Sequence, residues 1–164
     1  MSVSGDGFVT LADGSLRWGR FGAAGVLVRW GGSGDAEAEA SPWYFLARRS
    51  EWCHQGGTWA IPGGALNQGE SPLEGALREF AEEIGVVLGD EDFSVAHLHE
   101  DDHGGWSYWT VVIDVIERFA PPAPRNWETA ETGWFEHHRV GELELLPPFR
   151  ATLGRLGFLR PPGE

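Results

Sequence analysis

The sequence is poor in cysteine, since Cys53 is the one cysteine among 164 residues. No disulfide can form within the chain, which suits a reducing compartment. A nucleophilic cysteine needs an activating neighbour, and His54 follows it directly. Consecutive side chains of an extended segment point apart, however, so this pair is not predicted to work as a nucleophile and its base.

Long apolar runs are also missing. No stretch approaches the roughly 18 apolar residues that a transmembrane helix requires. The first residues, MSVSGDGFVTLADG, lack the basic and apolar regions of a secretory signal peptide. We therefore expect no membrane partner and a cytoplasmic location.

Basic residues are scarce. Lys and Arg together number 12 against 25 Asp and Glu, which gives a net charge of −13. This balance argues against broad nucleic-acid binding, which needs a basic surface. A small phosphate ligand would be repelled as well, unless divalent cations bridge its oxygens to carboxylates.

The stretch from Gly63 to Val86 predicts a loop followed by a helix. Ser71 and Pro72 are typical of a helix start, and Gly85 of a helix end. The predicted helix covers 73–84. At roughly 100° per residue, four apolar side chains fall in a stripe roughly 60° wide that should face the core. They are Leu73, Leu77, Phe80 and Ile84.

A cluster of carboxylates occupies another face of this helix. Glu79, Glu82 and Glu83 follow the spacing i, i+3, i+4, which places them side by side and destabilises an isolated helix. Cations would relieve that repulsion, and hard oxygen ligands suit Mg²⁺ or Mn²⁺. Arg78 is adjacent and can pair with one carboxylate and fix its rotamer.

The same stretch resembles the signature of the Nudix hydrolases, in which a Gly, a Glu, an Arg-Glu pair, a Glu-Glu pair and a final Gly recur at fixed spacing. One departure is Phe80, where the family usually has Leu, Ile or Val, and we expect only a local change in packing. An acidic surface helix would not need this register. The matching residues are Gly64, Glu70, Arg78, Glu79, Glu82, Glu83, Gly85 and Val86.

The resemblance implies an α/β/α sandwich with a mixed β-sheet, and hydrolysis of a nucleoside diphosphate linked to another moiety. It implies Mg²⁺ (or Mn²⁺) as cofactor, with Gly64 as a carbonyl ligand and Glu79, Glu82 and Glu83 as carboxylate ligands. In some relatives a Glu six residues before a Trp completes the metal site, which favours Glu128 over its competitor, Glu131.

Roles within the site follow from the same resemblance. One carboxylate must accept a proton from water, and Glu79, Glu82 and the distal Glu all remain candidates for that base. Arg78 is expected to orient a carboxylate, and Glu70 to support the geometry of the loop and helix. No residue is assigned to substrate binding, although Trp52, Trp59, Trp106 or Trp109 could stack on a base.

The rest of the chain predicts one domain, 1–164, without repeats. Residues 1–16 form an extension or hairpin, and 31–42 a solvated loop. Strands are expected at 24–30, 43–48, 59–61, 93–100, 107–119 and 133–136, a helical turn at 140–146 and a C-terminal helix at 147–159. His97 and His99 share a strand face near His103, but their spacing matches no metal site.

The substrate stays open. Asp101 and Asp102 stand where the ADP-ribose subfamily has its marker, and His103 and Gly104 where one dinucleoside polyphosphate class has its own. The Ser-Gln-Pro-Trp motif of the NADH subfamily is absent downstream. The default expectation is a MutT-like (deoxy)nucleoside triphosphate pyrophosphohydrolase. Alternatives are a hydrolase of ADP-ribose, a nucleotide sugar or a dinucleoside polyphosphate, or a nucleotide-sensing domain without catalysis. The oligomeric state is not predicted.

Overall fold

A computed structural model describes residues 3–31 and 42–159. Most of the predicted loop at 31–42 lies outside these residues. The elements in chain order are β1 (Phe8–Thr10), β2 (Leu16–Trp18), β3 (Ala23–Trp30), β4 (Trp43–Arg49), β5 (Trp59–Ala60), β6 (Gly63–Ala65), α1 (Pro72–Ile84), β7 (Phe93–Asp102), β8 (Ser107–Val115), β9 (Thr129–Glu136), α2 (His137–Val140) and α3 (Pro147–Arg155).

The main sheet is mixed and has β3 at its centre. Strand β3 runs parallel to β8 and antiparallel to β4 and β6. The long hairpin β7–β8 continues the sheet on one side, and β4 carries β5 and β9 on the other. The predicted mixed sheet is therefore confirmed.

Alternating side chains of the central strands build two cores, one on each face of the sheet. Val26 and Val28 of β3 pack with α1, whereas Leu27 between them packs on the opposite face with α3. Both faces are covered by helices, because strands buried on two sides need apolar partners on each. The structure confirms the expected α/β/α sandwich.

Helix α1 has the predicted ends. The Ser71 side chain accepts a hydrogen bond from the Glu74 amide at 3.1 Å, and Gly85 adopts a φ of 83°, which favours glycine. Phe80 is fully buried and packs edge-on against Phe45 and Phe119, with ring centroids 5.8 and 5.9 Å apart. An aromatic cluster thus accommodates the departure from the family's usual aliphatic residue.

Two strand boundaries differ from the predictions by four residues, whereas the other predicted strands differ by at most two. Strand β8 ends at Val115, not at position 119, because its last partner across the sheet is Phe93, the first residue of β7. The chain then leaves the sheet and buries Phe119 against α1. Strand β9 begins at Thr129, four residues earlier than expected, because it pairs along the whole of β4.

The C-terminal helices also differ. The helical turn forms at His137–Val140 and not at 140–146. Helix α3 begins at Pro147 as predicted but ends at Arg155, short of the expected 159. Gly157 takes a φ of 75°, and the Phe158 amide donates back to the Leu153 carbonyl at 2.9 Å, which closes the helix.

The N-terminal segment forms the β1–β2 hairpin and is tied to the rest of the fold. The Gly5 amide donates to the Asn67 side chain at 3.2 Å, in the loop before α1. The Trp106 indole donates to the Gly19 carbonyl at 2.8 Å. These bonds place β2 beside β6 and the start of β8. No described helix has the length and apolar character to cross a membrane.

Candidate functional site

The carboxylates of α1 line a polar cavity of about 830 Å³. We call it the acidic cavity. The loop before β9 contributes Glu128, the loop after β4 contributes Trp52, and the N-terminal segment contributes Asp6. Three segments distant in sequence therefore meet at one face of α1. The full lining is Ser4, Asp6, Trp18, Arg49, Trp52, Cys53, His54, Gly63, Gly64, Ala65, Asn67, Arg78, Glu79, Glu82, Glu83, Trp127 and Glu128.

Arg78 holds the loop, β6 and the helix together at the base of this cavity. Its guanidinium binds both carboxylate oxygens of Glu70, at 2.8 and 2.9 Å, in the planar two-bond geometry that arginine favours. It also donates to the Ala65 carbonyl at 2.8 Å and to the Glu79 carboxylate at 2.9 Å. Glu70 in turn accepts the Asn67 amide at 3.0 Å. Hydrogen bonds from Arg78 lower the pKa of Glu70.

Glu79 lies against Gly64. A methyl group on Gly64 would come within 2.5 Å of the Glu79 carboxyl carbon, so only glycine leaves room for this rotamer. Burial raises the pKa of Glu79, and the charges of Glu82 and Asp6 add to that, whereas Arg78 opposes it. The arginine contact does not lower the pKa overall, because burial outweighs it.

Glu83 is the carboxylate whose ionisation is most perturbed. Burial raises its pKa to about 8, and the charges of Glu79 and Glu128 contribute. The Gly63 amide and Arg49 act in the opposite direction but are too weak to compensate. A cation beside Glu83 would stabilise its ionised carboxylate. It would remove both the repulsion from Glu79 and Glu128 and the cost of an unpaired buried charge.

This ionisation predicts an unusual pH dependence of stability when metal ions are removed. A pKa raised by folding, from 4.5 to about 8, means that the folded state binds the proton more tightly than the unfolded state. The contribution of protonated Glu83 to the free energy of unfolding is therefore full at low pH and is lost as pH rises toward 8. Between pH 6 and 8 the free energy of unfolding should fall by up to about 1.4 kcal/mol per pH unit on account of Glu83.

Urea unfolding in EDTA at several pH values measures this effect, with Glu83→Gln as the reference. The difference between wild type and variant isolates the contribution of Glu83 from that of all other titratable groups. If the free energy of unfolding had the same slope against pH in both proteins, the pKa of Glu83 would not be raised by folding.

The distal carboxylates separate in the structure. Glu128 lines the acidic cavity, whereas Glu131 lies on β9 and pairs with Arg48 of β4 at 2.7 Å. The earlier start of β9 causes this difference, because it places position 131 in the sheet and leaves 128 in the loop. Of these two glutamates, only Glu128 therefore shares the cavity with the helix carboxylates.

The carboxylates line one cavity, but they are not gathered around a single point in it. Within 3–31 and 42–159, no group of three or more Asp, Glu, His or Cys side chains is arranged so that it could hold a metal ion. Arg78 draws Glu79 aside, with Glu82 only 3.5 Å from the same guanidinium. Glu82 is 60% exposed and free to rotate inward. The donor set nevertheless suits a hard divalent cation, because it offers several carboxylate oxygens and the carbonyl of Gly64.

A second cavity of about 460 Å³ adjoins the first across β6. We call it the side cavity. The two share Trp18, Arg49, Gly63 and Gly64. Trp18 and Arg49 contribute side chains at this boundary, whereas Gly63 and Gly64 of β6 add none. Aromatic rings line the side cavity, among them Trp106, Tyr108 and Phe149.

The four tryptophans that could stack on a base lie in different environments. Trp106 lines the side cavity, and Trp52, 85% exposed, lines the acidic cavity. Trp59 packs against Phe135 at 4.8 Å between ring centroids, and Trp109 packs on the α1 core, so these two serve packing.

His99 and Cys53 each make a hydrogen bond within the described part of the chain. His99 pairs with Asp101 at 3.2 Å and stacks beside His97, with ring centroids 6.4 Å apart. Cys53 lines the acidic cavity, where its thiol donates to the Glu128 carbonyl at 3.6 Å. These contacts hold the cavity wall.

Several lining residues had no sequence signal. Arg49, Trp18 and Trp127 reach the cavities from segments whose packing depends on distant parts of the chain. Arg49 comes directly after an apolar strand, where a surface exit is the ordinary expectation. Its side chain donates to the His54 carbonyl at 3.0 Å.

Comparison with known proteins agrees with this geometry. A family profile described as the NUDIX domain matches residues 21–156. A Mycobacterium tuberculosis protein named "Putative 8-oxo-dGTP diphosphatase 3" is 39% identical over 158 residues, which cover 93% of this chain and 69% of the relative.

Two further proteins are similar to this chain. The 8-oxo-dGTP diphosphatase of Proteus vulgaris is 39% identical over 69 residues, covering 41% of this chain and 62% of that protein. The crystal structure of a Nudix hydrolase from M. smegmatis, RenU, superposes with a TM-score of 0.77 at 37% identity, and covers 93% of both chains.

Proposed function

This chain belongs to the Nudix hydrolases, and on that premise we propose that it hydrolyses a (deoxy)nucleoside triphosphate with the help of Mg²⁺ or Mn²⁺. The reaction adds water to a P–O–P bond and releases a nucleoside monophosphate and pyrophosphate. The observation that carries the proposal is the acidic cavity, where four glutamates and Asp6 line one space beside an aromatic-lined cavity.

In this proposal Glu79, Glu82, Glu83 and Glu128 hold the cations, with the Gly64 carbonyl as a further ligand. When bound, a divalent cation neutralises phosphate charge and lowers the pKa of water. Glu79, Glu82 and Glu128 remain the candidates for the group that accepts the proton from water. Arg78 is a positioning residue, since its contacts reach carboxylates and a carbonyl of the chain.

Arg49 is suited to bind a substrate phosphate. It lines both cavities at their boundary and lies close enough to Glu83 to lower that carboxyl's pKa. A guanidinium pairs well with two phosphate oxygens. The triphosphate would then extend over the acidic cavity and the base into the side cavity.

One observation favours a second candidate, hydrolysis of a dinucleoside polyphosphate. Trp52 and Trp127 line the acidic cavity and are 85% and 66% exposed. Exposed indoles beside a phosphate site can stack on a second base beyond the leaving phosphate. The names of the relatives favour the triphosphate.

A nucleotide panel tests the proposal. The purified protein is incubated with Mg²⁺ or Mn²⁺ and with dNTPs, 8-oxo-dGTP, ADP-ribose, a nucleotide sugar and a dinucleoside tetraphosphate, and the products are separated. We expect monophosphate and pyrophosphate from a triphosphate, and none without metal. The Glu83→Gln protein, prepared in parallel, controls for a contaminating phosphatase. No hydrolysis of any compound would contradict an enzymatic role.

Substitution of Gly64 by Ala should impair turnover through Glu79. The added methyl group would sit 2.5 Å from the Glu79 carboxyl carbon and displace that carboxylate. We expect a roughly 10- to 100-fold rise in the Mg²⁺ concentration needed for half-maximal rate, or a comparable fall in kcat. Gly154→Ala on α3 is the control, because no atom lies within 4 Å of its added methyl group. Equal metal dependence of the two variants would argue against a ligand role for Glu79.

A further inference from the structure

The hydroxyl of Tyr108 lies in the side cavity without a hydrogen-bond partner. Tyr108 is the second residue of β8, and its partly buried side chain lines that cavity. Within residues 3–31 and 42–159, no group donates to this hydroxyl or accepts from it. A polar group in such a place is costly unless water or a ligand satisfies it, so a ligand acceptor here would strengthen binding.

The surrounding protein does not seal this hydroxyl from the cavity. In the part of the chain that the structure describes, the Nε atom of Arg17 is the one fully covered side-chain nitrogen or oxygen that lacks a partner. The Tyr108 oxygen lacks a partner as well but is not fully covered, so its surface is open to the side cavity. A ligand can therefore reach the Tyr108 hydroxyl, whereas it cannot reach the Arg17 nitrogen.

A glycine at position 25 leaves the space that the hydroxyl fills. Tyr108 extends from β8 over the neighbouring strand β3, where a methyl group on Gly25 would collide with the hydroxyl oxygen. Gly25 pairs with Gly63 of β6, and Gly63 lines both cavities. The hydroxyl is therefore placed on the side of the side cavity that adjoins the acidic cavity.

Charged groups of the acidic cavity act on the same hydroxyl. Burial is the main reason that the pKa of Tyr108 is raised, and the charges of Glu83 and Asp101 raise it further, whereas Arg49 opposes them. Glu83 and Arg49 both line the acidic cavity. Because the pKa lies above its usual value near 10, the phenol is neutral at physiological pH and keeps its proton to donate.

A phosphate oxygen is the ligand atom that suits this position. A hydrogen bond to a charged phosphate oxygen is roughly twice as strong as one between neutral groups. Arg49 supplies positive charge at the same boundary between the cavities. The apolar side chains of Phe149 and Leu153, by contrast, line the side cavity and suit a base. The hydroxyl thus stands where the phosphates of a bound nucleotide would join its nucleoside.

We propose that the Tyr108 hydroxyl donates a hydrogen bond to the α-phosphate, the phosphate group next to the nucleoside, and so fixes the nucleotide at the boundary between the two cavities. This inference rests on the proposed function, since it concerns the same nucleotide, with its base in the side cavity and its other phosphates over the acidic cavity. The bond forms with every nucleotide that carries this phosphate, whatever its base.

Tyr108→Phe removes only the hydroxyl, and Tyr44→Phe is the matched control. Tyr44, the other tyrosine of the chain, lines neither cavity, and its hydroxyl is bonded to His137 at 2.8 Å. We expect Tyr108→Phe to lower kcat/KM for the triphosphate roughly 10- to 100-fold at an unchanged melting temperature. Tyr44→Phe should lower the melting temperature and leave kcat/KM unchanged. An unchanged kcat/KM in Tyr108→Phe would overturn the proposal.

Binding of compounds that contain no P–O–P bond separates this inference from the proposed function. dGMP, dAMP and the two deoxynucleosides without phosphate are titrated in Mg²⁺, with quenching of tryptophan fluorescence as the signal. In wild type the monophosphates should bind more tightly than the deoxynucleosides. This ratio should fall roughly 10-fold in Tyr108→Phe and stay unchanged in Tyr44→Phe. That result supports the inference even if no triphosphate is hydrolysed, in which case only the proposed function fails.

Three outcomes of the titrations would overturn the inference. An equal loss of affinity for monophosphates and deoxynucleosides in Tyr108→Phe would place the contact on the sugar or the base. A wild-type protein that gains no affinity from the phosphate group would leave the hydroxyl without the proposed acceptor. Hydrolysis of triphosphates together with equal affinity of wild type and Tyr108→Phe for the monophosphates would overturn the inference alone and leave the proposed function intact.

Discussion

Glu83→Gln is expected to lower kcat by roughly 10²- to 10³-fold while the protein stays folded. In the proposed function a cation held at the acidic cavity would stabilise the transition state by several kcal/mol, and loss of one ligand anion would remove part of that. Glutamine keeps the shape of the side chain. With a pKa of about 8, Glu83 is largely protonated at neutral pH in the metal-free protein. The uncharged amide should therefore leave the metal-free fold as stable as before or more so.

Glu82→Gln is expected to show the same loss of turnover for the same reason. Glu82 is 60% exposed on its side chain, so its substitution has little to disturb in the core. Glu74→Gln is the matched control, since Glu74 is exposed on the first turn of α1 and outside the acidic cavity. The measurements are kcat under saturating Mg²⁺ and the rise in melting temperature that Mg²⁺ produces. Variants that retain wild-type kcat would show that these carboxylates are not ligands.

Local chemistry made α1 predictable. Its cap at Ser71, its end at Gly85 and its apolar stripe depend on residues within one or two helical turns, so the sequence pattern carried them. The convergence of Glu79, Glu82 and Glu83 follows from the same periodicity. The contact of Arg78 with Glu79 joins adjacent residues and was likewise expected.

Contacts between distant segments were not predictable. Arg17 reaches the side cavity only because the Trp106 indole binds the Gly19 carbonyl, 87 residues away. The bond from Thr152 to Asp101 spans 51 residues and fixes α3 beside β7. Neither pair leaves a periodic signal in the sequence, since each depends on how the sheet and its flanking elements pack.

The distal carboxylate shows how register decides a site. Both Glu128 and Glu131 precede Trp134, and spacing alone favoured the first without excluding the second. In the structure β9 pairs with β4 from Thr129 onward, so Glu131 meets Arg48 across the sheet. A strand boundary, which is the least certain part of a sequence-based prediction, thus determines which carboxylate lines the cavity.

Arg78→Met is expected to lower both stability and kcat. The guanidinium makes a two-bond contact with Glu70 and one bond each with Ala65 and Glu79. The Glu70 side chain is 13% exposed and would be left without its charge partner, so we expect a loss of about 2–4 kcal/mol in the free energy of unfolding. Arg78→Lys should recover only part of it, because an ammonium group lacks the planar fork. Urea unfolding and kcat measure the two effects. Arg139→Met is the control, because Arg139 is 64% exposed and lines neither cavity.

A double-mutant cycle identifies the route by which Arg78 acts. If Arg78 acts through Glu70, then Arg78→Met and Glu70→Gln should be non-additive in the free energy of unfolding by at least about 1 kcal/mol. The loss of kcat should instead depend on Glu79, the other carboxylate that Arg78 contacts. Glu70→Gln leaves the bond from Arg78 to Glu79 in place, so it should lower kcat less than Arg78→Met does, while KM for the nucleotide changes little in either variant. Additive stability effects would show that Arg78 does not act through Glu70. A rise in KM alone would indicate that Arg78 contacts the substrate.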